Sequence, residues 1–254
     1  MTERELFSPG HSGCAGCGAA ALVPRLVLNA LSEVVGDDII VVNSTGCLEI
    51  ISSAYPQSSW GVPYIHSLFE NAPAVASGVV RALRVKGNDH TLVLVVAGDG
   101  ATYDIGFGSL SGMLERNEDV LYICYDNEAY MNTGVQRSSA TPFGASTTTS
   151  QAGKKIPGKQ EWKKPIVEIA AAHQIPYAAS ASIAFYADLR SKLHKAAKIR
   201  GARFISIHSS CCIGWGFDSN LAVEVCRLAV ETGLWKLFEV ENGEFRITRE
   251  PSFI

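Results

Sequence analysis

The fold is decided by residues 91–142, which read TLVLVVAGDGATYDIGFGSLSGMLERNEDVLYICYDNEAYMNTGVQRSSATP. The first seven residues, 91–97, are mostly β-branched or leucine and end at Gly98, which is the pattern of a buried parallel strand. Apolar side chains then recur at roughly helical spacing, and a second apolar run, residues 120–125, lies just before Asn127. The pattern predicts a strand, a tight loop, a helix and a second strand.

Two polar side chains stand where these strands end. A right-handed crossover makes the strands parallel, which places Asp99 and Asn127 at the edge of the sheet where open α/β folds bind ligands. Their oxygens suit Mg²⁺, an ion that completes its octahedron with phosphate and water oxygens. Gly98 and Gly100 would let the backbone approach a diphosphate. A Gly-Asp-Gly tripeptide alone is usually a turn, but this context favours a site that resembles the thiamine diphosphate motif.

Composition bounds the class of protein. The chain has 254 residues, 47% hydrophobic content and a formal net charge of −3. It can therefore bury a large core, and an α/β unit of this size is commonly one domain, here residues 1–254. No apolar run reaches the roughly 18 residues of a membrane span, and the N-terminus lacks a signal-peptide pattern. No basic stripe indicates nucleic acid. We expect a cytoplasmic chain with no membrane or nucleic-acid partner.

Seven cysteines in such a chain indicate metal or redox chemistry more than disulfides. Cys14 and Cys17 form a Cys-x-x-Cys motif flanked by glycines. The motif has three alternative interpretations besides coincidence: a zinc knuckle, a thioredoxin-type redox pair, or part of an iron–sulfur site. Cys124 and Cys226 lie in apolar patterns and are expected to be small buried hydrophobic side chains.

Further ligand candidates follow two predicted strands. Cys47 comes shortly after a short buried strand predicted at residues 39–42, and Cys211 and Cys212 follow one predicted at residues 203–208. Loops at the same edge of one sheet could bring four thiolates together. Adjacent cysteines cannot easily both point at one cluster, so the fourth ligand is either Cys211 or Cys212.

The remaining elements follow from apolar periodicity and turn residues. Residues 133–164 are polar and far longer than an ordinary connection; they are either a solvated loop or, as we prefer, a segment that packs on partner subunits or lines the active-site entrance. The basic side chains of residues 186–200 are expected on a solvated face, and Asn242-Gly243 predicts a hairpin turn. The predicted helices span residues 19–35, 69–85, 165–173, 186–200 and 221–232, with a strand at 177–183 and a hairpin at 236–240 and 244–248.

Four segments together resemble the β subunit of pyruvate:ferredoxin oxidoreductase (pyruvate synthase), of the 2-oxoacid:ferredoxin oxidoreductase family. They are GHSGCAGCG at residues 10–18, TGCLE at 45–49, IHSLFEN at 65–71 and DNEAYMNTG at 126–134. The resemblance runs from about residue 8 to about residue 240. It is specific, because two unrelated cofactor motifs occur in the family's order on one chain.

The resemblance implies the fold and three cofactors. The fold class is α/β, with a single open, mostly parallel sheet, helices on both faces, and a small C-terminal hairpin on a thiamine diphosphate-binding domain of the diphosphate-binding (PP) type. The cofactors are thiamine diphosphate, Mg²⁺ and one 4Fe-4S cluster. Asp99, the Asn127 side chain and the Ala129 carbonyl would bind Mg²⁺. The other residues implied around the diphosphate are Thr45, Gly46, Gly98 and Gly100.

The implied cluster ligands are Cys14, Cys17, Cys47 and Cys211. In the family the last cluster cysteine is followed by two residues and then Gly-Trp, and Cys211 stands at that distance from Gly214-Trp215. Cys211 is therefore preferred to Cys212.

Two residues are candidates for catalysis. Asn132 falls where the family has an asparagine near the reactive thiazolium carbon; the alternative is a left-handed turn residue. His66 could be a general acid, or a loop histidine satisfied by the backbone. Glu70 and Asn71 are expected to start the following helix or to lie behind the site.

The implied reaction is oxidative decarboxylation of a 2-oxoacid, most simply pyruvate, with single-electron transfer to the cluster, acyl transfer to coenzyme A, and ferredoxin as acceptor. No second comparable unit remains to bind the aminopyrimidine ring. The chain should therefore need a pyrimidine-binding α subunit, and the resemblance also implies ferredoxin-like and γ subunits.

Other functions are weighed against this one. Within the family, oxalate or branched-chain 2-oxoacids are alternative substrates, and 2-oxoglutarate is less favoured. A non-catalytic zinc-binding structural subunit would explain four cysteines but leaves Asp99 and Asn127 without a role. A thiamine-dependent decarboxylase without electron transfer would explain the diphosphate site but not the cysteines.

Overall fold

The computed structural model describes residues 5–252, in which strands and helices alternate. The strands are β1 Ile39–Ser44, β2 Tyr64–Ser67, β3 Leu92–Gly98, β4 Val120–Asp126, β5 Tyr177–Ser182, β6 Arg203–His208, β7 Leu237–Glu241 and β8 Glu244–Arg249. The helices are α1 Leu22–Val35, α2 Cys47–Ser52, α3 Ala72–Val85, α4 Phe107–Glu115, α5 Ile166–Ala172, α6 Tyr186–Lys198, α7 Cys212–Trp215 and α8 Ala222–Glu231.

These eight strands form one sheet in the order β2-β1-β3-β4-β6-β5-β7-β8. Pairing is parallel from β2 to β5, whereas β7 runs antiparallel to both β5 and β8. The chain leaves β1 towards β2 but leaves β3 towards β4, so the strand order reverses between β1 and β3. Open α/β sheets bind ligands at this topological switch point, outside the carboxyl ends of the strands.

The core lies on both faces of the sheet. One apolar cluster joins α1 and α6 to one face, and a second joins α3, α4 and α5 to the other. All seven residues of β4 are buried, as expected of a central parallel strand covered on both sides. The predicted fold class, an open and mostly parallel sheet with helices on both faces, is confirmed.

Four local features differ from the sequence prediction. The edge strand β2 and the short helix α2 were not predicted, because neither contains a sufficiently long periodic run. The predicted tight loop after β3 is a π-helical turn, Gly100–Ile105, in which the Gly106 N–H donates to the Ala101 carbonyl at 2.8 Å. Lys192 does not lie on a solvated face: it is 2% exposed, and its ammonium donates to the Ser180 carbonyl at 2.8 Å.

The C-terminal hairpin agrees with its turn residues. Asn242 and Gly243 have φ values of 50° and 85°, the left-handed pair that a two-residue hairpin turn requires. The hairpin extends the main sheet through β7. Lys192 also bonds Asp188 and Thr248, so the buried ammonium connects α6 with both β5 and β8.

Residues 133–164 contain no helix or strand, only isolated bridges such as Thr147–Ser150. The segment is nevertheless anchored, because Ser138, Thr141 and Lys159 are buried. Within residues 5–252, no helix is long and apolar enough to cross a membrane.

Candidate functional site

A cavity of about 130 Å³ opens at the switch point, where β1, β3 and β4 end. It brings together residues that are up to 88 positions apart in the chain, from Thr45 to Thr133. The lining includes every residue predicted around the diphosphate and the metal, and also Asn132: Thr45, Gly46, Gly98, Asp99, Gly100, Asn127, Ala129 and Asn132.

Three oxygen-bearing groups converge in this cavity. Asp99, Asn127 and Ala129 are all buried. One terminal atom of the Asn127 amide lies 2.8 Å from the Ala129 carbonyl oxygen and 2.9 Å from Asp99 Oδ1. With the amide nitrogen at that position, Asn127 donates to both neighbours. With the amide oxygen there, three oxygens face one another, which is the donor set of a hard cation such as Mg²⁺.

The electrostatics of Asp99 also fit a cation. Burial raises the pKa of Asp99 well above its usual range, and the nearby charge of Asp126 raises it further. A bound divalent cation would reverse this shift, because it stabilises the ionised carboxylate. The Ser138 hydroxyl donates to the second carboxylate oxygen, Asp99 Oδ2, at 2.5 Å, which leaves Oδ1 facing Asn127.

Two glycines in the cavity wall pack closely against tyrosine side chains. A Cβ at Gly100 would lie 2.3 Å from the Tyr130 ring, and one at Gly46 would lie 3.1 Å from the Tyr125 hydroxyl. Gly46 also has a φ of 155°, which side chains rarely permit. Tyrosine side chains occupy the space that a Cβ would take at both positions, so any larger residue there would displace a side chain that lines the cavity.

The cysteines lie beside this cavity. Cys14 and Cys17 precede α1, Cys47 begins α2, and Cys211 precedes α7. Burial, with smaller effects of the nearby thiols Cys17, Cys211 and Cys14, raises the pKa of Cys47 to about 11, and the Asn132 side chain opposes this shift. The four cysteines are therefore close enough to repel one another as thiolates, and a cationic metal centre between them would relieve that repulsion.

Cys211 and Cys212 have different surroundings. Cys211 Sγ accepts a hydrogen bond from the Gly214 N–H at 3.3 Å, and burial and the charges of Cys17, Cys212 and Cys14 raise its pKa. The Cys212 thiol is 3% exposed and donates to the Ala15 carbonyl at 3.1 Å. Cys124 and Cys226 are fully buried, as predicted for hydrophobic side chains.

A single-ion site does not form among these thiols. Between residues 5 and 252, no group of three or more His, Cys, Asp or Glu side chains could hold one metal ion. A structural zinc site needs four ligands in direct contact with one ion.

The two catalytic candidates occupy different positions. Asn132 lines the cavity, and its φ is not positive, so the alternative of a left-handed turn residue is wrong. His66 lies in the edge strand β2 rather than in a loop, and it does not line the cavity. Its Nε2 lies 2.8 Å from Thr45 Oγ1 and 4.0 Å from Glu49 Oε2, so a side chain satisfies it and not the backbone.

Glu70 and Asn71 lie immediately before helix α3. Helix α3 begins at Ala72, and Asn71 occupies the N-cap position without a side-chain hydrogen bond. Neither Glu70 nor Asn71 lines the cavity.

A buried group of charges around Asn127 was not predicted. Lys163 Nζ lies 2.9 Å from Asp126 Oδ2 and 3.1 Å from Glu128 Oε1. On the other side of Glu128, His208 Nε2 lies 3.7 Å from Glu128 Oε2 and its ring stacks on Trp235. The acidic residues on both sides of Asn127 are visible in the sequence and could have indicated a charged site. No local sequence pattern connects them with Lys163 or His208.

Comparisons with known proteins agree with this geometry. The family model described as thiamine pyrophosphate enzyme, C-terminal TPP binding domain, matches residues 44–207. Pyruvate synthase subunit PorB of Methanothermobacter marburgensis is 54% identical over 251 residues, which cover 99% of this chain and 85% of that protein. Ketoisovalerate oxidoreductase subunit VorB of Pyrococcus abyssi is 46% identical over 248 residues, which cover 96% of this chain and 78% of that one.

A solved structure confirms the fold at lower identity. The 2-oxoglutarate:ferredoxin oxidoreductase from Magnetococcus marinus matches with a TM-score of 0.67 and 21% identity, over 83% of this chain and 69% of that one. The cavity at the switch point lies within the matched thiamine pyrophosphate domain, and the PorB similarity spans nearly the whole chain. On these grounds the chain belongs to the pyruvate synthase PorB family of the 2-oxoacid:ferredoxin oxidoreductases.

Proposed function

We propose that the chain is the thiamine- and cluster-binding β subunit of a pyruvate:ferredoxin oxidoreductase. The observation that carries this proposal is the position of Cys47, which lines the cavity and also lies among the other cysteines. Two cofactor sites that share one residue are close enough for electrons to pass between them. When bound, thiamine diphosphate supplies a carbanion that adds to the keto carbon of the substrate and permits loss of CO₂, and a 4Fe-4S cluster accepts electrons singly.

The residues of the cavity would hold the diphosphate and its cation. Asp99, Asn127 and the Ala129 carbonyl would supply three oxygen ligands to Mg²⁺. Gly98 and Gly100, which line the cavity, would lie beside the diphosphate. Thr45 and Gly46, at the end of β1, would contact the cofactor from the opposite wall.

The cysteines would hold the cluster. Cys14, Cys17, Cys47 and Cys211 would be its ligands, and the Gly214 N–H would remain bonded to the Cys211 sulfur. Asn132 would orient the substrate at the cavity, because it lines the cavity together with Cys47. His66 would act through Thr45, to which it is hydrogen-bonded, rather than by direct contact.

The proposal includes partner chains and soluble substrates. A pyrimidine-binding α subunit would cover the open side of the cavity, and ferredoxin-like and γ subunits would carry electrons to ferredoxin. Coenzyme A would accept the acyl group. Residues 133–164 would form part of the interface with these partners.

Pyruvate is the favoured substrate, because the PorB relative is 54% identical. A branched-chain 2-oxoacid is the second candidate, since the ketoisovalerate relative is 46% identical. Oxalate is the third candidate substrate and is included in the assay.

The test is anaerobic purification of the chain with its co-expressed partners, followed by iron, sulfide and thiamine analysis. Ferredoxin reduction is then measured with pyruvate, 2-oxoisovalerate, oxalate and 2-oxoglutarate, with and without coenzyme A. Four irons in this chain and coenzyme A-dependent reduction with pyruvate are expected. Preference for another 2-oxoacid would change the substrate, whereas zinc in place of iron would overturn the electron-transfer role.

A further inference from the structure

The turn that carries two of the proposed metal ligands is strained. Glu128, between Asn127 and Ala129, has a φ of 72°, a conformation that is costly for a side chain with a Cβ and persists only where the surroundings hold it. The Glu128 N–H donates to Asp126 Oδ1 at 3.0 Å, and the Thr141 hydroxyl donates to the Glu128 carbonyl at 2.5 Å. The backbone of this turn is therefore fixed from both sides.

Lys163 joins the two ends of the same turn. Its ammonium lies 2.9 Å from Asp126 and 3.1 Å from Glu128, the residues immediately before and after Asn127. Asp126 is fully buried, and the Tyr103 hydroxyl also donates to its Oδ2, at 2.6 Å. A cation placed between these two carboxylates offsets their repulsion.

Ser138 fixes the remaining metal ligand. Its hydroxyl is fully buried and donates to Asp99 Oδ2 at 2.5 Å. The carboxylate is thereby oriented with Oδ1 towards Asn127. Ser138 and Lys163 both belong to residues 133–164, so this segment contacts the proposed ligand Asp99 directly and the Asn127 turn through Asp126 and Glu128.

We propose that Ser138 and Lys163 are positioning residues for the divalent cation. Neither would bind the ion; they would hold Asp99 and the Asn127 turn in the geometry that the ion requires. Partners of this kind typically change metal affinity by roughly 10- to 100-fold when removed. The inference rests on the metal site of the proposed function.

Lys159 provides a matched control. It is also a buried lysine of residues 133–164, but its ammonium donates to the carbonyl oxygens of Thr141 at 2.6 Å and Ser139 at 3.3 Å. It is hydrogen-bonded to its own segment and not to the carboxylates beside Asn127. Lys159→Met therefore reports what loosening the segment does by itself.

The experiment uses the assembled complex, freed of thiamine diphosphate and divalent ions and then titrated with Mn²⁺ in the presence of thiamine diphosphate. Free Mn²⁺ is followed by electron paramagnetic resonance, and the unfolding midpoint is measured without the ion. In Ser138→Ala and Lys163→Met the Mn²⁺ Kd is expected to rise about tenfold or more. The unfolding midpoint of Ser138→Ala should fall no further than that of Lys159→Met, whose Kd stays within about threefold of the wild type. The unfolding midpoint of Lys163→Met should fall further, because Asp126 and Glu128 lose their ion pair.

Three results would count against the inference or its basis. A Kd within twofold of the wild type in Ser138→Ala and Lys163→Met would overturn it, as would an equal rise in Lys159→Met. If Lys163→Met does not assemble, Ser138→Ala decides alone, because it removes a hydroxyl without leaving an unpaired charge. A wild-type complex that binds no Mn²⁺ would instead overturn the metal site itself.

Discussion

Cys47 is the residue at which the two proposed cofactor sites meet. It begins α2 and lines the cavity together with Asn132. Its pKa of about 11 means that the thiol is protonated at neutral pH until a metal centre displaces the proton. Loading of the cluster should therefore release protons and proceed faster at higher pH.

The two adjacent cysteines should respond differently to substitution. Cys211→Ser removes a proposed cluster ligand, so we expect loss of most of the cluster iron and of ferredoxin reduction. Cys212→Ser alters a buried thiol that donates to a carbonyl, and the serine hydroxyl can make the same bond, so the iron content should be retained. Iron analysis and visible absorption of the anaerobically purified complexes measure the difference. Equal iron loss in both variants would contradict the assignment.

Glu128 should make stability depend on pH. Although burial opposes ionisation, the positive charges of Lys163 and His208 lower the pKa of Glu128 from 4.5 to about 2. Because the folded pKa is the lower one, ionised Glu128 stabilises the fold above about pH 4.5, and this stability is lost as the pH falls towards 2. We expect the contribution to be on the order of 3 kcal/mol at pH 7.

The comparison is between wild type and Glu128→Gln, with the free energy of unfolding measured by denaturant at fixed pH values from 7 to about 3.5. The difference in the free energy of unfolding between wild type and Glu128→Gln should become smaller as the pH falls. Glu161→Gln is the control, because the Glu161 side chain is 65% exposed. Parallel curves for wild type and Glu128→Gln would contradict the prediction.

Residue type alone predicted the oxygen donors and the cysteines, because Asp99, Asn127 and Cys47 each follow an apolar strand. Residue type did not predict the pairing of Lys163 with Asp126, which are 37 positions apart with no periodic pattern between them. Such contacts depend on the path of an irregular segment, and no local rule predicts that path.

At the scale of elements, the prediction succeeded where the periodicity was long. Strands β3 and β4 and helices α1, α3 and α6 were predicted close to their observed bounds, because each combines an apolar repeat with a clear end signal. It failed for β2, a four-residue edge strand with two exposed side chains, and for Lys192, whose burial depends on the distant partners Ser180 and Thr248. Short elements and buried charges are determined by tertiary contacts.

The π-helical turn after β3 should be sensitive to one added methyl group. In Gly100→Ala the new Cβ would stand 2.3 Å from the Tyr130 ring, so the ring and the cavity wall must shift. We expect destabilisation of about 1–3 kcal/mol and loss of bound thiamine diphosphate. Thermal unfolding and thiamine content of the complex are the measurements.

Gly108→Ala is the matched control for this substitution. Gly108 lies in α4, and a Cβ there would meet no atom within 4 Å, so the alanine should stabilise the helix by about 0.5–1 kcal/mol and leave thiamine binding unchanged. A Gly100→Ala complex that retains the wild-type thiamine content would contradict the proposed approach of the diphosphate.

At the scale of the whole molecule, residues 133–164 have two faces. The inner face contacts Asp99 through Ser138, and Asp126 and Glu128 through Lys163. The outer face carries Phe143 and Trp162, whose rings stack 4.7 Å apart although their side chains are 46% and 80% exposed. An exposed aromatic pair of this kind is typical of a protein interface.

We expect this aromatic pair to contribute to subunit assembly. The double variant Phe143→Ser/Trp162→Ser should weaken association with the partner subunits at least tenfold, which corresponds to about 1.4 kcal/mol, without lowering the unfolding midpoint of this chain. Tyr55→Ser is the control, because Tyr55 is 97% exposed and lies outside the segment. Association is measured by analytical ultracentrifugation of the purified complexes. Unchanged association of the double variant would place the interface elsewhere.

The two outer strands of the sheet have a consequence for self-association. Unpaired edge strands can recruit further strands and start aggregation, and short or charged edges prevent this. Here one edge, β2, has only four residues, and the other, β8, carries the exposed charges Glu244, Arg246 and Arg249. Neither edge strand is a long apolar strand with which a strand of another chain could pair. The free subunit should therefore resist aggregation through edge-strand pairing in the cell before it meets its partners.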